Sequence, residues 1–266
     1  MSDIKANWWG TIDFGEGEQR LLRCADLCLQ LCALPHQWWL GYEWQHEVNQ
    51  FEPELEHSKL EAEPAAMENE QRFVFAELPE KLTLQPSLAD RPVVCRPVVS
   101  VTLLPFQEVT LFVCLPLWVQ LRVADETKPL LDIPTVRVCD SWFGPNTREG
   151  VISYASQVTE QLDVIPIANN KARAAIEVRI QNQSEQMLTL DKISVPAPNL
   201  ILYMDPAGQF WTPRITLVRR DNEDAILSID DVVSGGLDKS GLTKVSDARE
   251  DIGRSKITKA ISALFG

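Results

Sequence analysis

Residues 21–34 read LLRCADLCLQLCAL, and whether this stretch coils or extends decides the fold class. Cys24, Cys28 and Cys32 recur every fourth residue, a spacing that puts them on one face of a helix or of a strand. Ala25, Leu27, Leu29, Leu31 and Ala33 are all apolar, as a strand with one dry face requires. Leu34-Pro35-His36-Gln37 then reads as a turn into residues 38–48 (WWLGYEWQHEV). The two stretches are expected to form a β-hairpin, with a helix over residues 21–34 as the competing reading.

Working outward, residues 8–14 (WWGTIDF) are β-prone and Gly15-Glu16-Gly17-Glu18 supplies a turn. Residues 50–71 change character: seven Glu, Pro53 and Pro64 stand against a single Lys59. Such a segment buries too little apolar surface to offset its ordering entropy and is expected as a linker. From Phe73 onward, short Val-, Ile- and Leu-rich runs alternate with Pro-rich breaks, the spacing of a sandwich or barrel. Residues 205–208 (DPAG) predict a hairpin joining residues 200–204 to Phe210-Trp211, and residues 174–195 predict another around Gln183-Ser184-Glu185-Gln186. Near the C-terminus, Ser234-Gly235-Gly236 and Lys239-Ser240-Gly241 resemble a tether. Asp247 and Glu250 have the spacing of an N-terminal cap, and Ile252, Ile257, Ile261 and Leu264 fall close to helical spacing.

The chain has 266 residues and a formal net charge of -13. That acid excess argues against nucleic acid or anionic lipid as the main partner, since either would need a basic field. Residues 109–121 (VTLFVCLPLWVQL) are too short for a membrane span of roughly 20 residues. Without a secretory signal at its start, the chain reads as cytoplasmic, and its six cysteines as reduced core thiols.

Motifs for catalysis are missing: no GxSxG elbow, no phosphate loop and no GxGxxG occur. His36, His46 and His57 lack the spacings that preset two imidazoles on a metal, so neither metal nor cofactor is expected. Five of the eight Trp precede residue 45, and the adjacent pair Trp38-Trp39 must face opposite ways on a strand. Residues 140–150 (DSWFGPNTREG) predict a tight turn presenting Trp142, Phe143, Asn146 and Arg148, with an Arg148–Asp140 pair as the plainer role for that arginine.

The stretch from 115 to 155 resembles the central signature of an uncharacterised bacterial and archaeal family, the domain of unknown function 432 (DUF432). The matching pieces are Leu115-Pro116, Asp132-Ile133-Pro134, Gly144-Pro145 and Gly150-Val151-Ile152-Ser153-Tyr154; Trp8-Trp9-Gly10 and Glu43-Trp44 are also similar. The resemblance spans residues 8 to 220. It implies no activity and no catalytic residue, but an accessory role beside mechanosensitive small-conductance channels.

These readings predict an all-β, sandwich-like protein: an N-terminal Trp-rich hairpin unit (1–50), an acidic linker or loop (51–71), a sandwich domain (72–233), a flexible tether (234–246) and an amphipathic helix (247–266). The expected function is interaction or regulation rather than catalysis. A protein partner would be engaged by Trp38, Trp39, Trp142, Phe143, Asn146 and Arg148; the helix carrying Ile252, Ile257, Ile261 and Leu264 would dock either on its own sandwich or on that partner. The alternative is a carbohydrate or small ligand stacked on exposed Trp.

Overall fold

The computed structural model describes residues 8–45, 50–97, 100–123, 126, 128–144, 148–156, 170–220 and 225–251. The chain passes twice through each of two compact units, the first combining positions up to Ser87 with Leu117–Arg137, the second combining Leu88–Pro116 with positions after Arg137. The first pass through unit one gives β1 (Gly10–Asp13), β2 (Glu18–Ala25), β3 (Leu27–Leu34), β4 (Gln37–Trp44), β5 (Gln50–Lys59), β6 (Asn69–Val74) and β7 (Lys81–Ser87). Unit two then takes β8 (Val93–Cys95), β9 (Val101–Leu103) and β10 (Glu108–Pro116), before the chain returns for β11 (Trp118–Val123) and β12 (Leu131–Pro134). The remaining strands of unit two are β13 (Cys139–Phe143), β14 (Val151–Ser156), β15 (Arg173–Asn182), β16 (Leu188–Leu190), β17 (Ile193–Val195), β18 (Leu202–Met204), β19 (Phe210–Trp211), β20 (Pro213–Arg219), β21 (Ala225–Val233) and β22 (Thr243–Ser246). The protein is all-β; among the described residues the only helical turns are three short 3-10 pieces, and no helix is long and apolar enough to cross a membrane.

Unit one holds two sheets, ordered β1-β7-β11-β12 and β5-β2-β3-β4-β6. Residues 21–34 are extended, as the alternation requires, but they are two strands rather than one. The chain reverses at Ala25, which takes φ 52, and the N–H groups of Asp26 and Leu27 both donate to the Thr135 carbonyl at 3.0 Å. The reversal also separates the cysteines. Leu27 stands opposite Cys24, whereas Cys28 and Cys32 stand opposite Arg23 and Gln19, so Cys24 lies on the other face of the sheet. Its face is the dry one, with Leu22, Leu29, Leu31, Leu40 and Trp38 all buried.

The expected acidic linker is also structured. β5 occupies its first part, antiparallel to β2, and β6 completes the other edge of the sheet. Glu52, Glu54 and Glu56 alternate with Pro53, Leu55 and His57, and Arg23 pairs with Glu56. Period two, not composition, was the signal to follow there.

In unit two, β15 is the central strand. β10 pairs antiparallel along its length, and β19 and β20 run parallel to it on the other side. The hairpin expected within residues 174–195 therefore does not form: β16 pairs with β9 and β17 with β8. The hairpin at 205–208 does form, closed by Gly208 N–H donating to Asp205 O at 2.9 Å, with the Asp205 carboxylate accepting from Ala207, Gln209 and the Trp211 indole.

Residues 234–246 are packed rather than free. Leu237 and Leu242 lie against the cluster of Phe112, Ala175, Trp211 and Val233, and β22 pairs with β18. The helix expected from Asp247 does not start there. Asp247 bonds Lys244 at 2.7 Å, Glu250 N–H donates to Pro198 O at 3.0 Å, and Arg249 Nε donates to Leu88 O at 2.7 Å. The chain bends at Arg249 and Glu250. The rest of that expected helix, including Ile252, Ile257, Ile261 and Leu264, falls outside the described residues.

Candidate functional site

Strand alternation decides which side chains of residues 139–156 can meet a ligand. β13 and β14 pair antiparallel with Trp142 opposite Ile152 and Asp140 opposite Tyr154. Those four side chains therefore share one face, while Ser141, Phe143, Val151 and Ser153 share the other. Phe143 is fully buried and anchors the hairpin from beneath. Trp142 and Ile152 are 46% and 55% exposed. The tip leaves little freedom: a Cβ on Gly144 would sit 2.0 Å from the Glu149 carbonyl oxygen, and one on Gly150 would meet the Trp142 ring at 2.8 Å.

Polar groups flank this apolar pair. Arg91 donates to Asp140 at 3.1 Å and places its guanidinium 5.2 Å from the centre of the Tyr154 ring. The Tyr154 hydroxyl donates to Asp90 at 2.9 Å. Burial, with the hydrogen bond to Asp90 and the charge of that carboxylate, pushes the Tyr154 phenol up to about 12, so it stays a donor at any physiological pH. The face thus combines an exposed indole, an aliphatic neighbour and a held set of donors and acceptors, which suits stacking or hot-spot contact more than bond-breaking chemistry.

The structure sorts the residues singled out from the sequence. Trp142 is displayed; Phe143 supports it from the core side. Arg148 is exposed at the same turn, and Asp140, its expected partner, accepts from Arg91. Asn146 lies outside the described residues. Trp38 and Trp39 are 0% and 3% exposed and present no ring to solvent. Of the other indoles, Trp8, Trp118 and Trp211 are buried and Trp9 and Trp44 half-buried, which leaves Trp142 as the exposed one of eight. Of the six thiols, Cys139 is exposed and the rest are buried or half-buried; burial pushes Cys32 and Cys114 up to about 11.

A second concave feature, in unit one, escaped the sequence reading. An open cleft of about 720 Å³ is lined by Thr11, Asp13, Glu18, Arg20, His57 and Lys81, among others. Two antiparallel registers create it: Asp13 stands opposite Lys81, and Arg20 opposite His57. Arg20 is 6% exposed and satisfies itself on the chain, donating to Asp13 O at 2.7 Å, Gln19 O at 3.1 Å and the Glu18 carboxylate at 3.1 Å. Burial alone would raise the Glu18 carboxyl; the Gly15 N–H bond and the charges of Arg20 and His57 outweigh it and hold Glu18 below the usual carboxylate range. His57 Nε2 lies 3.5 Å from Glu18, an ion pair only when the ring is protonated. This arrangement clips β1 to β2, with the Arg20 and Glu18 charges answered by each other and by the backbone. Alternation in residues 52–57 signalled the strand that carries His57, but nothing local to the sequence named Arg20 as its neighbour. Among the described residues no three His, Cys, Asp or Glu side chains converge as metal ligands.

No curated protein and no solved structure shows significant similarity to the chain. The family model described as "Protein of unknown function (DUF432)" matches residues 8–265, nearly its whole length, and this chain therefore belongs to the DUF432 family.

Proposed function

We propose that this chain is a non-enzymatic interaction or regulatory protein of the cytoplasm, built on sandwich-like β units, that binds a protein partner through the outer face of β13–β14. The single observation that carries the reading is Trp142, an indole 46% exposed on a hairpin whose next residue, Phe143, is fully buried. A large ring with only two side-chain torsions, displayed on a backbone fixed from below, costs little entropy to order on binding, which is the character of an interface hot spot. The missing catalytic motifs and the pairing of Arg20 with Glu18 in the unit-one cleft also favour binding over chemistry. The partner class is a membrane channel of the mechanosensitive small-conductance type, to which the chain would be accessory, with Ile252, Ile257, Ile261 and Leu264 as a second, helical contact.

The test is a binding isotherm between the full chain and a purified channel of that type. Trp142→Ala is expected to weaken binding by about 2 kcal/mol, roughly thirtyfold. Truncation after Asp251 removes the second contact while keeping β22 and the packed Leu237 and Leu242. Unchanged affinity in both variants defeats the reading.

Asp140 and Arg91 beside the exposed ring favour one other ligand, a carbohydrate stacked on Trp142 and hydrogen-bonded at its edge. Titration with a glycan panel separates the two: quenching that Trp142→Phe abolishes supports the sugar, and no quenching by any glycan removes it.

A further inference from the structure

Exposed apolar side chains in unit two are not confined to β13–β14. Leu104, Phe106 and Met187 are 59%, 67% and 63% exposed on two turns that the fold brings together. Leu103 pairs with Leu188 across β9 and β16, so Leu104 and Met187 leave those strands at the same end. Asn182 is buried, and its side-chain nitrogen donates to both Leu104 O at 3.0 Å and Gln186 O at 2.7 Å, locking one turn against the other. Gln107 N–H closes the first turn on Leu104 O at 3.2 Å, and the Ser184 hydroxyl closes the second on Gln186 O at 3.1 Å. Phe106 takes φ 60, a backbone region that L side chains rarely adopt. The surroundings therefore hold its backbone against its own preference while the ring stays exposed, a form of strain that clusters at functional surfaces.

Hydration identifies what such a tip fits. A protein pocket can offer polar partners to an entering turn, but hydrocarbon offers none, so a turn that enters lipid must satisfy its own backbone. Leu104 O and Gln186 O each accept two hydrogen bonds from their own chain, and Pro105 carries no N–H. Residues 104–107 bear no formal charge, and residues 183–187 bear only Glu185. Insertion to the headgroup boundary therefore leaves those two carbonyls satisfied, with Glu185 and the Phe106 amide kept at the hydrated depth of the headgroups. The net charge of -13 weighs against anionic lipid.

We propose that this tip docks on a zwitterionic lipid bilayer, with Leu104, Phe106 and Met187 entering the boundary between headgroups and acyl chains and the chain not spanning it. The proposal stands on different residues from the β13–β14 reading, and either can fail alone.

Co-sedimentation of the full chain with phosphatidylcholine vesicles tests it. The expected result is lipid-dependent pelleting that persists in high salt, because apolar insertion is not screened. Combining Phe106→Gly with Met187→Ser should lower the partition coefficient about tenfold or more, from the apolar area removed. Glycine accepts the backbone angle at 106, so the variant keeps its fold, which a thermal melt verifies. Failure of the full chain to pellet overturns the proposal and leaves a partner pocket as the occupant. Equal pelleting by the double variant, or binding that requires phosphatidylserine and vanishes in salt, overturns it too.

Discussion

Two strands of this protein carry an adjacent aromatic pair, and they use it in opposite ways. On β4, Trp38 and Trp39 are both buried; on β13, Phe143 is buried while Trp142 stands 46% exposed. Alternation sends one ring to each face in both strands. What differs is the cover on the second face. Trp38 packs within 5.5 Å of Phe14 and 5.0 Å of Phe75, ring centre to ring centre. Trp39, on the opposite face, folds over Gly41, where a Cβ would lie only 2.3 Å from its ring and 2.8 Å from the Met67 sulfur. A glycine two residues along the strand thus opens a slot that lets an outward indole lie flat under the segment after β5. On β13, the residue at the matching offset is Gly144, which serves the tip instead, facing the Glu149 carbonyl. Sequence period assigns the face, and the neighbours decide whether that face is wet.

The largest consequence concerns Trp38. Trp38→Ala should destabilise unit one by about 3–5 kcal/mol, since a fully buried ring is lost and the cavity cannot close on a sheet face. Trp142→Ala should change stability by no more than about 0.5 kcal/mol, as a surface substitution. Denaturant midpoints measure both, and comparable losses would erase the distinction between covered and displayed rings. Trp38→Phe should cost far less than alanine. The indole N–H of Trp38 has no acceptor among the described residues, so phenylalanine removes an orphaned donor along with some packing.

A smaller effect is expected from Gly41→Ala, which would convert the β4 arrangement toward that of β13. The added methyl competes with the far end of the Trp39 ring, at a cost of about 1–3 kcal/mol typical of overpacking. The ring rather than the backbone should move, giving red-shifted emission and easier acrylamide quenching. Unchanged fluorescence together with full stability would mean that the slot over Gly41 is not what covers the ring.

The same contrast explains what the sequence could reveal. Alternation and turn chemistry are local, so β10, β14, β15 and the 205–208 turn were legible. Pairing is not local. Nothing in residues 174–182 announces that their partners are β10, β19 and β20 rather than residues 188–195. The reversal inside residues 21–34 was hidden because Ala25 adopts a left-handed angle without a turn signature, held there by bonds to Thr135, 110 positions away in the chain. Composition misled where it overrode period, as with the Glu-rich β5 and the Gly-rich 234–246 segment. At the candidate site, residues 140–150 drew notice for their Trp-Phe pair and Gly-Pro turn; Tyr154 joins them by standing opposite Asp140, whereas Arg91 and Asp90 entered only through the parallel pairing of β14 with β8. The Asn182 lock behind Phe106 had no signal beyond a polar residue at a strand end.

The finest test of the displayed face is alkaline titration, because Tyr154 lies on the same side of β13–β14 as Trp142. A phenol pushed up to about 12 favours the protonated form in the folded chain relative to an ordinary value of 10. The folded state therefore gains from this group fully below pH 10, and the gain is lost as pH rises from 10 through about 12. Absorbance at the phenolate band should show a late-titrating component that Tyr154→Phe removes, and stability should fall less steeply above pH 10 in that variant. Asp90→Asn keeps the burial but takes away the carboxylate, so the component should shift to lower pH without vanishing. A Tyr154 that ionises with an ordinary phenol would mean that neither its burial nor the hydrogen bond to Asp90 is maintained in solution. The donors beside Trp142 would then be mobile, and the face would lose the preorganisation that separates it from a stray exposed ring.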